Sequence, residues 1–186
     1  MNKGKIQYKL DNASIIAFVV GVLVFMLAKR LAVYGLFKLD SVGENIMFAV
    51  ILAFFATLFG SVTGFLTGFL GVISSLAACH EPIIFGDAVM FAFLGFYIGQ
   101  FADKYFVREG RFGLRQAIAW NLTNISGLIA SFVFIKPLVD YIFYNVDLFD
   151  AASIGFRVVL IAAIPVGLIF TLMLFLLSKF FGYVKS

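Results

Sequence analysis

Charged side chains are scarce in this sequence, and that scarcity excludes most soluble folds. Only 13% of its 186 residues are Asp, Glu, Lys or Arg, whereas 63% are hydrophobic and the mean hydropathy is +1.07. Soluble domains carry roughly 25% charged residues. The composition is therefore that of an integral membrane protein.

Cysteine and histidine are also nearly missing, with one residue of each type. The single Cys79 excludes an internal disulfide, and the single His80 cannot supply the ligand cluster of a metal hydrolase. No glycine-rich loop followed by Lys and Ser or Thr is present to hold the phosphates of ATP. We therefore expect no catalytic residue and no metal site. An intramembrane enzyme built on His80 and Ser74 or Ser75 is a remote alternative, because no acid is placed to orient the histidine.

Charge is missing altogether from Asn45 to His80, a run of 36 residues. As a helix this run would reach about 54 Å, well beyond the roughly 30 Å hydrocarbon core, so it must cross the membrane twice, with a break at Gly60 and Ser61. The uncharged runs together predict a compact all-α bundle of six transmembrane helices, in a single domain over residues 1–186. The predicted helices are Ala13–Tyr34, Asn45–Phe59, Val62–Ala78, Ile83–Ala102, Leu114–Ile135 and Ser153–Phe181.

Six crossings place both termini on one side of the membrane. That side would carry nine Lys and Arg residues, including Lys104, Arg108, Arg111 and Arg115 between the fourth and fifth helices, and the opposite side five. The positive-inside rule then puts the N and C termini in the cytoplasm of a multi-pass protein of the cell membrane.

Polar residues inside predicted crossings are candidates for function, because they are costly in lipid. Asp87 lies one turn into the fourth predicted helix and Arg157 one turn into the sixth. The short Asp87 side chain cannot reach the interface, so we expect it to be buried with a ligand or with a cation such as Arg157. Asn121 and Asn124 share one face of the fifth helix, where they serve either interhelical hydrogen bonds or ligand contact.

Small residues recur every fourth position in three of the predicted helices. Such spacing lets helix backbones approach closely, either within one chain or between two proteins. The series comprise Ala13 and Ala17; Gly60, Gly64 and Gly68; and Gly95 and Gly99.

The run from Ala53 through Gly71 matches the pattern AF-A-x-x-FG-x-x-x-G-x-x-x-GF-x-G, with one additional residue, Phe55, between AF and A. With six short helices and cytoplasmic termini, it resembles the substrate-binding S components of energy-coupling factor (ECF) vitamin transporters of bacteria, most closely the riboflavin-type branch. The resemblance implies an outward vitamin cavity formed by helices four to six and closed by the loops Phe37–Asn45 and Ala78–Phe85. The substrate-binding candidates are Tyr34, Asn45, His80, Phe85, Asp87, Tyr97, Asn124 and Arg157.

The same resemblance implies partners. An S component of the bacterial plasma membrane joins a membrane coupling protein, the T component, and two ATPase subunits that hydrolyse the ATP; no nucleic acid is involved. Docking is ascribed to the small pair of the first helix, here Ala13 and Ala17, and Gly64 and Gly68 would suit a surface that slides against the partner.

The sequence indicates less clearly which vitamin is bound. Val72, Ile73 and the run Ile83–Phe85 stand where relatives carry His and Trp. Missing tryptophans and a rim of small residues favour cobalamin as the ligand, with riboflavin second; the rim comprises Ser74, Ser75, Ala77, Ala78, Gly86 and Ala88. A stand-alone secondary transporter or channel for a small solute is the alternative function.

Overall fold

A computed structural model of the chain describes residues 12–34, 41–105, 107 and 109–185. These residues form helices and turns, without a β-strand in the described ranges. The helices are α1 (Asn12–Val33), α2 (Ser41–Phe59), α3 (Ser61–Ala78), α4 (Phe85–Gly99), α5 (Ala102–Tyr105), α6 (Leu114–Ile129), a π-helical segment (Ala130–Ile135), α7 (Lys136–Tyr144) and α8 (Leu148–Lys185). Residues 37–40 of the first predicted outer loop lie outside the described ranges.

Within these ranges, five helical segments are long and apolar enough to cross a membrane. They are Asn12–Val33, Val42–Phe59, Ser61–Ala78, Leu114–Tyr144 and Leu148–Gly182. The apolar α4 is shorter, and its 15 residues reach only about 22 Å. An all-helical chain with several helices suited to a multi-pass bundle is therefore confirmed, while the count of six crossings and the side of the termini stay predictions.

Four of the predicted helices have wrong boundaries, and the first of these, α2, begins at Ser41 rather than Asn45. The fourth helix is α4, Phe85–Gly99, because Ile84 is extended and the chain turns at Gln100. The fifth continues past Ile135 to Tyr144, since the π-helical segment changes the hydrogen-bond spacing just before Pro137, which lacks a backbone N–H. The last helix begins at Leu148 rather than Ser153.

Helices α3 and α4 make the most extensive helix contact among the described residues. A Cβ atom added to Gly64 would collide with the carbonyl oxygen of Gly95, and one added to Gly68 with the carbonyl oxygen of Phe91. Only glycine permits this backbone approach. The reversal between α2 and α3 also depends on glycine, because Gly60 has φ +88°.

The centre of the bundle is organised around the single tryptophan. Trp120 of α6 is fully buried, and its Nε1–H donates a hydrogen bond of 2.9 Å to Thr57 Oγ1 of α2. Its ring stacks on Phe170 of α8, with 5.5 Å between ring centroids. One side chain thus ties together three helices that are far apart in sequence.

Candidate functional site

Charged side chains from several helices meet at one end of the bundle, which we call the ion-paired end. Here α1, α3 and α7 finish and α2, α4 and α8 begin. The charged residues at this end are Lys29, Arg30, Glu44, Glu81, Asp87, Lys136, Asp140, Asp147, Asp150 and Arg157. The opposite, basic end carries Lys104, Arg111, Arg115, Lys179 and Lys185 with Asp103 and Glu109 in the described ranges.

The first group of charges, the Lys29 cluster, joins α1, α2 and the turn between α3 and α4. Lys29 Nζ lies 2.5 Å from a carboxylate oxygen of Glu44 and 2.7 Å from one of Glu81. The Lys29 side chain is only 5% exposed, whereas the two carboxylates are 21% and 37% exposed. One ammonium group therefore neutralises one of two carboxylates, and the cluster keeps a net negative charge.

The second group, the Lys136 cluster, joins α4 to α7. Lys136 Nζ donates to Asp87 Oδ1 at 2.5 Å and also contacts Asp140 Oδ2 at 3.1 Å. The other oxygen of the buried Asp140, Oδ1, has no hydrogen-bond partner among the described residues and lies against Gly86, where a side chain would collide with it. Asp87 sits in the first turn of α4 and Asp140 faces that turn, where the helix dipole favours negative charge.

Aromatic rings surround the Lys136 cluster at the start of α4. The backbone N–H of Phe85 donates a 3.0 Å hydrogen bond to the Tyr144 hydroxyl, which caps the helix start from α7. The Phe85 ring contacts Phe69 of α3 edge-on at 6.1 Å and Phe143 of α7 at 5.6 Å. The ion-paired end thus offers apolar rings beside charged groups.

Six of the predicted substrate contacts lie at this end, one of them the exposed Arg157 of α8. Phe85 and Asp87 stand together on α4, and Asn45 is half-buried on α2 next to Glu44. Exposed His80 has φ +57° in the α3–α4 turn, and exposed Tyr34 follows α1.

The predicted pairing of Asp87 with Arg157 is not found. Asp87 pairs with Lys136, whereas Arg157 is exposed and lies about two and a half turns into α8, which begins five residues earlier than predicted.

Two predicted contacts lie away from the ion-paired end. Tyr97 is in the last turn of α4, toward the basic end, where its hydroxyl is 3.2 Å from Ser126 Oγ. Asn124 is 1% exposed, and its Nδ2 has no hydrogen-bond partner in the described part of the chain. Because the fifth crossing runs to Tyr144, Asn124 falls in the basic half of that crossing rather than the outer half.

The predicted docking residues divide between surface and interior. Ala13 is exposed near the start of α1, whereas Ala17 is buried. Gly64 and Gly68 are covered by α4. Packing within the chain, the alternative that the sequence left open, therefore explains the glycine spacing, and in this conformation those glycines are not available to a partner.

Sequence reasoning did not select Lys136 and Asp140, although a signal for them exists. The two residues are four positions apart, the spacing that brings opposite charges together on a helix. In the described part of the chain, no group of three His, Cys, Asp or Glu side chains is arranged to hold a metal ion. Comparisons with family models, curated proteins and solved structures gave no match.

Proposed function

We propose that this chain is the vitamin-binding S component of an ECF-type importer and binds its vitamin at the ion-paired end. The observation that supports this most is the pair of charged clusters at the ends of the helices of an otherwise apolar bundle. Charged groups are expensive within a membrane and are retained there mostly for function. A ligand at this end would meet them directly.

The chemistry of the Lys136 cluster suits a vitamin. Vitamin-sized ligands bind in mostly apolar pockets that contain a few placed polar groups. Phe85, Phe143 and Tyr144 supply apolar rings, while Asp87 and Lys136 supply hydrogen-bonding groups.

Cobalamin remains the first candidate and riboflavin the second. The rim offers less space for a large ligand than the sequence predicts, because three of its small residues, Ser75, Gly86 and Ala88, are buried in helix contacts. Space at the rim therefore has to come from Ser74, Ala77 and Ala78, which are half-buried or exposed.

Isothermal titration of the purified chain with cobalamin, riboflavin, folate, pantothenate, thiamin and biotin tests the binding function. We expect saturable one-to-one binding of one vitamin. The variant Asp87→Asn should weaken that binding, because it removes the charge facing Lys136, whereas Asp150→Asn, an exposed acid at the same end, should leave it unchanged. Absence of binding across the panel would contradict the assignment.

Coupling to the ATPase module is tested separately by uptake. In our proposal the exposed Ala13 lies on the surface that meets the T component, so Ala13→Glu should retain vitamin binding and lose ATP-dependent uptake. Ala119→Glu provides a matched control, because Ala119 is an exposed alanine of α6. Equal uptake by both variants would contradict docking through Ala13. Ala17→Glu is less informative because Ala17 is buried.

A stand-alone secondary transporter is the second candidate, and the unpartnered Oδ1 of Asp140 favours it. Carboxylates within membrane crossings often carry protons in such transporters. Liposomes that contain only this chain separate the two functions. Uptake driven by a pH gradient without ATPases, and lost in Asp140→Asn, would favour the transporter over the S component.

A further inference from the structure

An apolar groove of about 550 Å³ runs along the outside of the α3–α4 pair. Its lining contains no polar surface. The residues that form it come from α3, α4 and the π-helical segment, and they are Val62, Phe65, Leu66, Phe69, Val89, Ala92, Phe93, Phe96 and Ile135.

The groove follows from the glycine contacts between the two helices. Gly64 and Gly68 bring the α3 backbone against α4, so that the large neighbouring side chains must turn outward on both sides. Phe65 and Phe69 form one wall, with their rings stacked at 6.2 Å and nearly parallel. The buried Ala92 leaves the space between the walls open.

One wall of the groove continues toward the basic end as a series of aromatic rings. Phe93 stacks on Tyr97 at 6.1 Å, and Tyr97 contacts Phe101 at 5.7 Å. The Nζ of the exposed Lys104 lies 4.7 Å from the centre of the Phe101 ring. An apolar surface therefore ends in a cation beside it.

We propose that the α3–α4 groove binds an anionic phospholipid, with one acyl chain in the groove and the headgroup phosphate at Lys104. The lengths agree. Eight residues separate Phe93 from Phe101, about 12 Å at helical rise, whereas one leaflet of the hydrocarbon core is about 15 Å thick. One lipid molecule can therefore place an acyl chain in the groove and its phosphate beyond Phe101.

The charge of the site favours a lipid over a helix of another protein, because the apolar groove leads to the Lys104 cation. Five basic residues at the basic end (Lys104, Arg111, Arg115, Lys179 and Lys185) outnumber its two acidic residues (Asp103 and Glu109) in the described ranges, and a basic residue near the membrane surface attracts anionic headgroups. This inference is independent of the proposed vitamin binding.

Native mass spectrometry of the full chain, released from bilayers of equal phosphatidylglycerol and phosphatidylcholine, tests the proposal. We expect retained lipid enriched in phosphatidylglycerol. Lys104→Gln should lower that enrichment about fivefold, the value for one basic group near a headgroup. Lys179→Gln is the matched control, because Lys179 also lies at the basic end, over the ring of Phe175 at 4.8 Å, and should retain the enrichment.

Filling the groove tests the position of the acyl chain. Val62→Phe adds a ring at the α3 wall and should reduce retention of both lipids, with unchanged Trp120 fluorescence showing that the bundle is folded. The proposal is overturned if the wild-type chain retains no lipid, or if Lys104→Gln and Lys179→Gln behave alike. Unchanged lipid retention in Val62→Phe, with loss of binding to a membrane partner protein, would assign the groove to that protein instead.

Discussion

Replacing Lys29 by Met tests whether the Lys29 cluster holds α1, α2 and the α3–α4 turn together. The buried ammonium contacts Glu44 at 2.5 Å and Glu81 at 2.7 Å. Methionine keeps an unbranched apolar side chain but removes the charge. The variant therefore leaves two carboxylates facing each other without their cation.

The expected loss of stability follows from the exposure of the three groups. Removing one partner of a buried ion pair costs about 3–5 kcal/mol. Glu44 and Glu81 are 21% and 37% exposed, so water reduces the cost, and we expect about 2 kcal/mol. In a chain of this length, that loss lowers the melting temperature by about 4–8 °C.

Two single residues report the effect in different places. Trp120 fluorescence follows the packing of α2, α6 and α8, whereas the reaction of Cys79 with a thiol reagent follows the end of α3, two residues before Glu81. In Lys29→Met we expect faster Cys79 labelling and a lower melting temperature. Arg30→Met, which removes the neighbouring exposed cation, should change neither quantity.

A rescue variant separates lost pairing from lost packing. Adding Glu44→Gln and Glu81→Gln to Lys29→Met removes the unpaired charges and should restore most of the stability. If the triple variant is as unstable as the single one, or if Lys29→Met melts like Arg30→Met, the ion pairs do not hold this end of the bundle.

Three further predictions concern packing, ionisation and the core hydrogen bond. Gly64→Ala should lower the melting temperature, because overpacking costs about 1–3 kcal/mol, whereas Gly182→Ala, with only ordinary contacts, should not. Burial raises the pKa of Tyr105 to about 12. Unfolding therefore releases the Tyr105 proton above pH 10, so the free energy of unfolding should fall from pH 10 toward pH 12. Chemical unfolding at each pH should show a steeper fall for the wild-type chain than for Tyr105→Phe. Parallel curves for the two chains would contradict this. Thr57→Val leaves the Trp120 N–H unpaired and should cost about 1–3 kcal/mol by thermal melting, while Thr57→Ser, which keeps the hydroxyl, should cost less.

The positions of the first three crossings could be predicted closely because long uncharged runs have few ways to cross a membrane. The later crossings were misjudged for the opposite reason. The fifth helix was predicted to end at Ile135, just before Lys136, and the sixth to begin at Ser153, just after Asp150, yet the helices continue through Lys136 and through Asp150. Lys136 is paired with two carboxylates, which lowers the cost of a cation near the membrane, and only the structure shows that pairing.

The candidate site was predictable as a location but not as a set of contacts. Asp87 was expected near a cation or a ligand, and the structure supplies the cation. Its identity, Lys136 instead of Arg157, depends on which faces α4 and α7 turn toward each other. The rotation of α4 about its axis is set by the contacts of Gly64, Gly68 and Gly95 between α3 and α4. It cannot be predicted from the spacing of residues along a helix.

The surface of α1 shows why Ala13 is the informative position for partner binding. Among the five membrane-length segments, α1 has the smallest fraction of buried residues, and it exposes Ile16, Leu23 and Leu27. In a membrane these apolar side chains are satisfied by lipid, so their exposure does not by itself indicate a partner. A small residue that stays open at the helix surface is different, because close approach of a second helix depends on it. Of the four predicted docking residues, Ala13 alone meets that condition, and its replacement by Glu therefore distinguishes a docking surface from a face that contacts lipid.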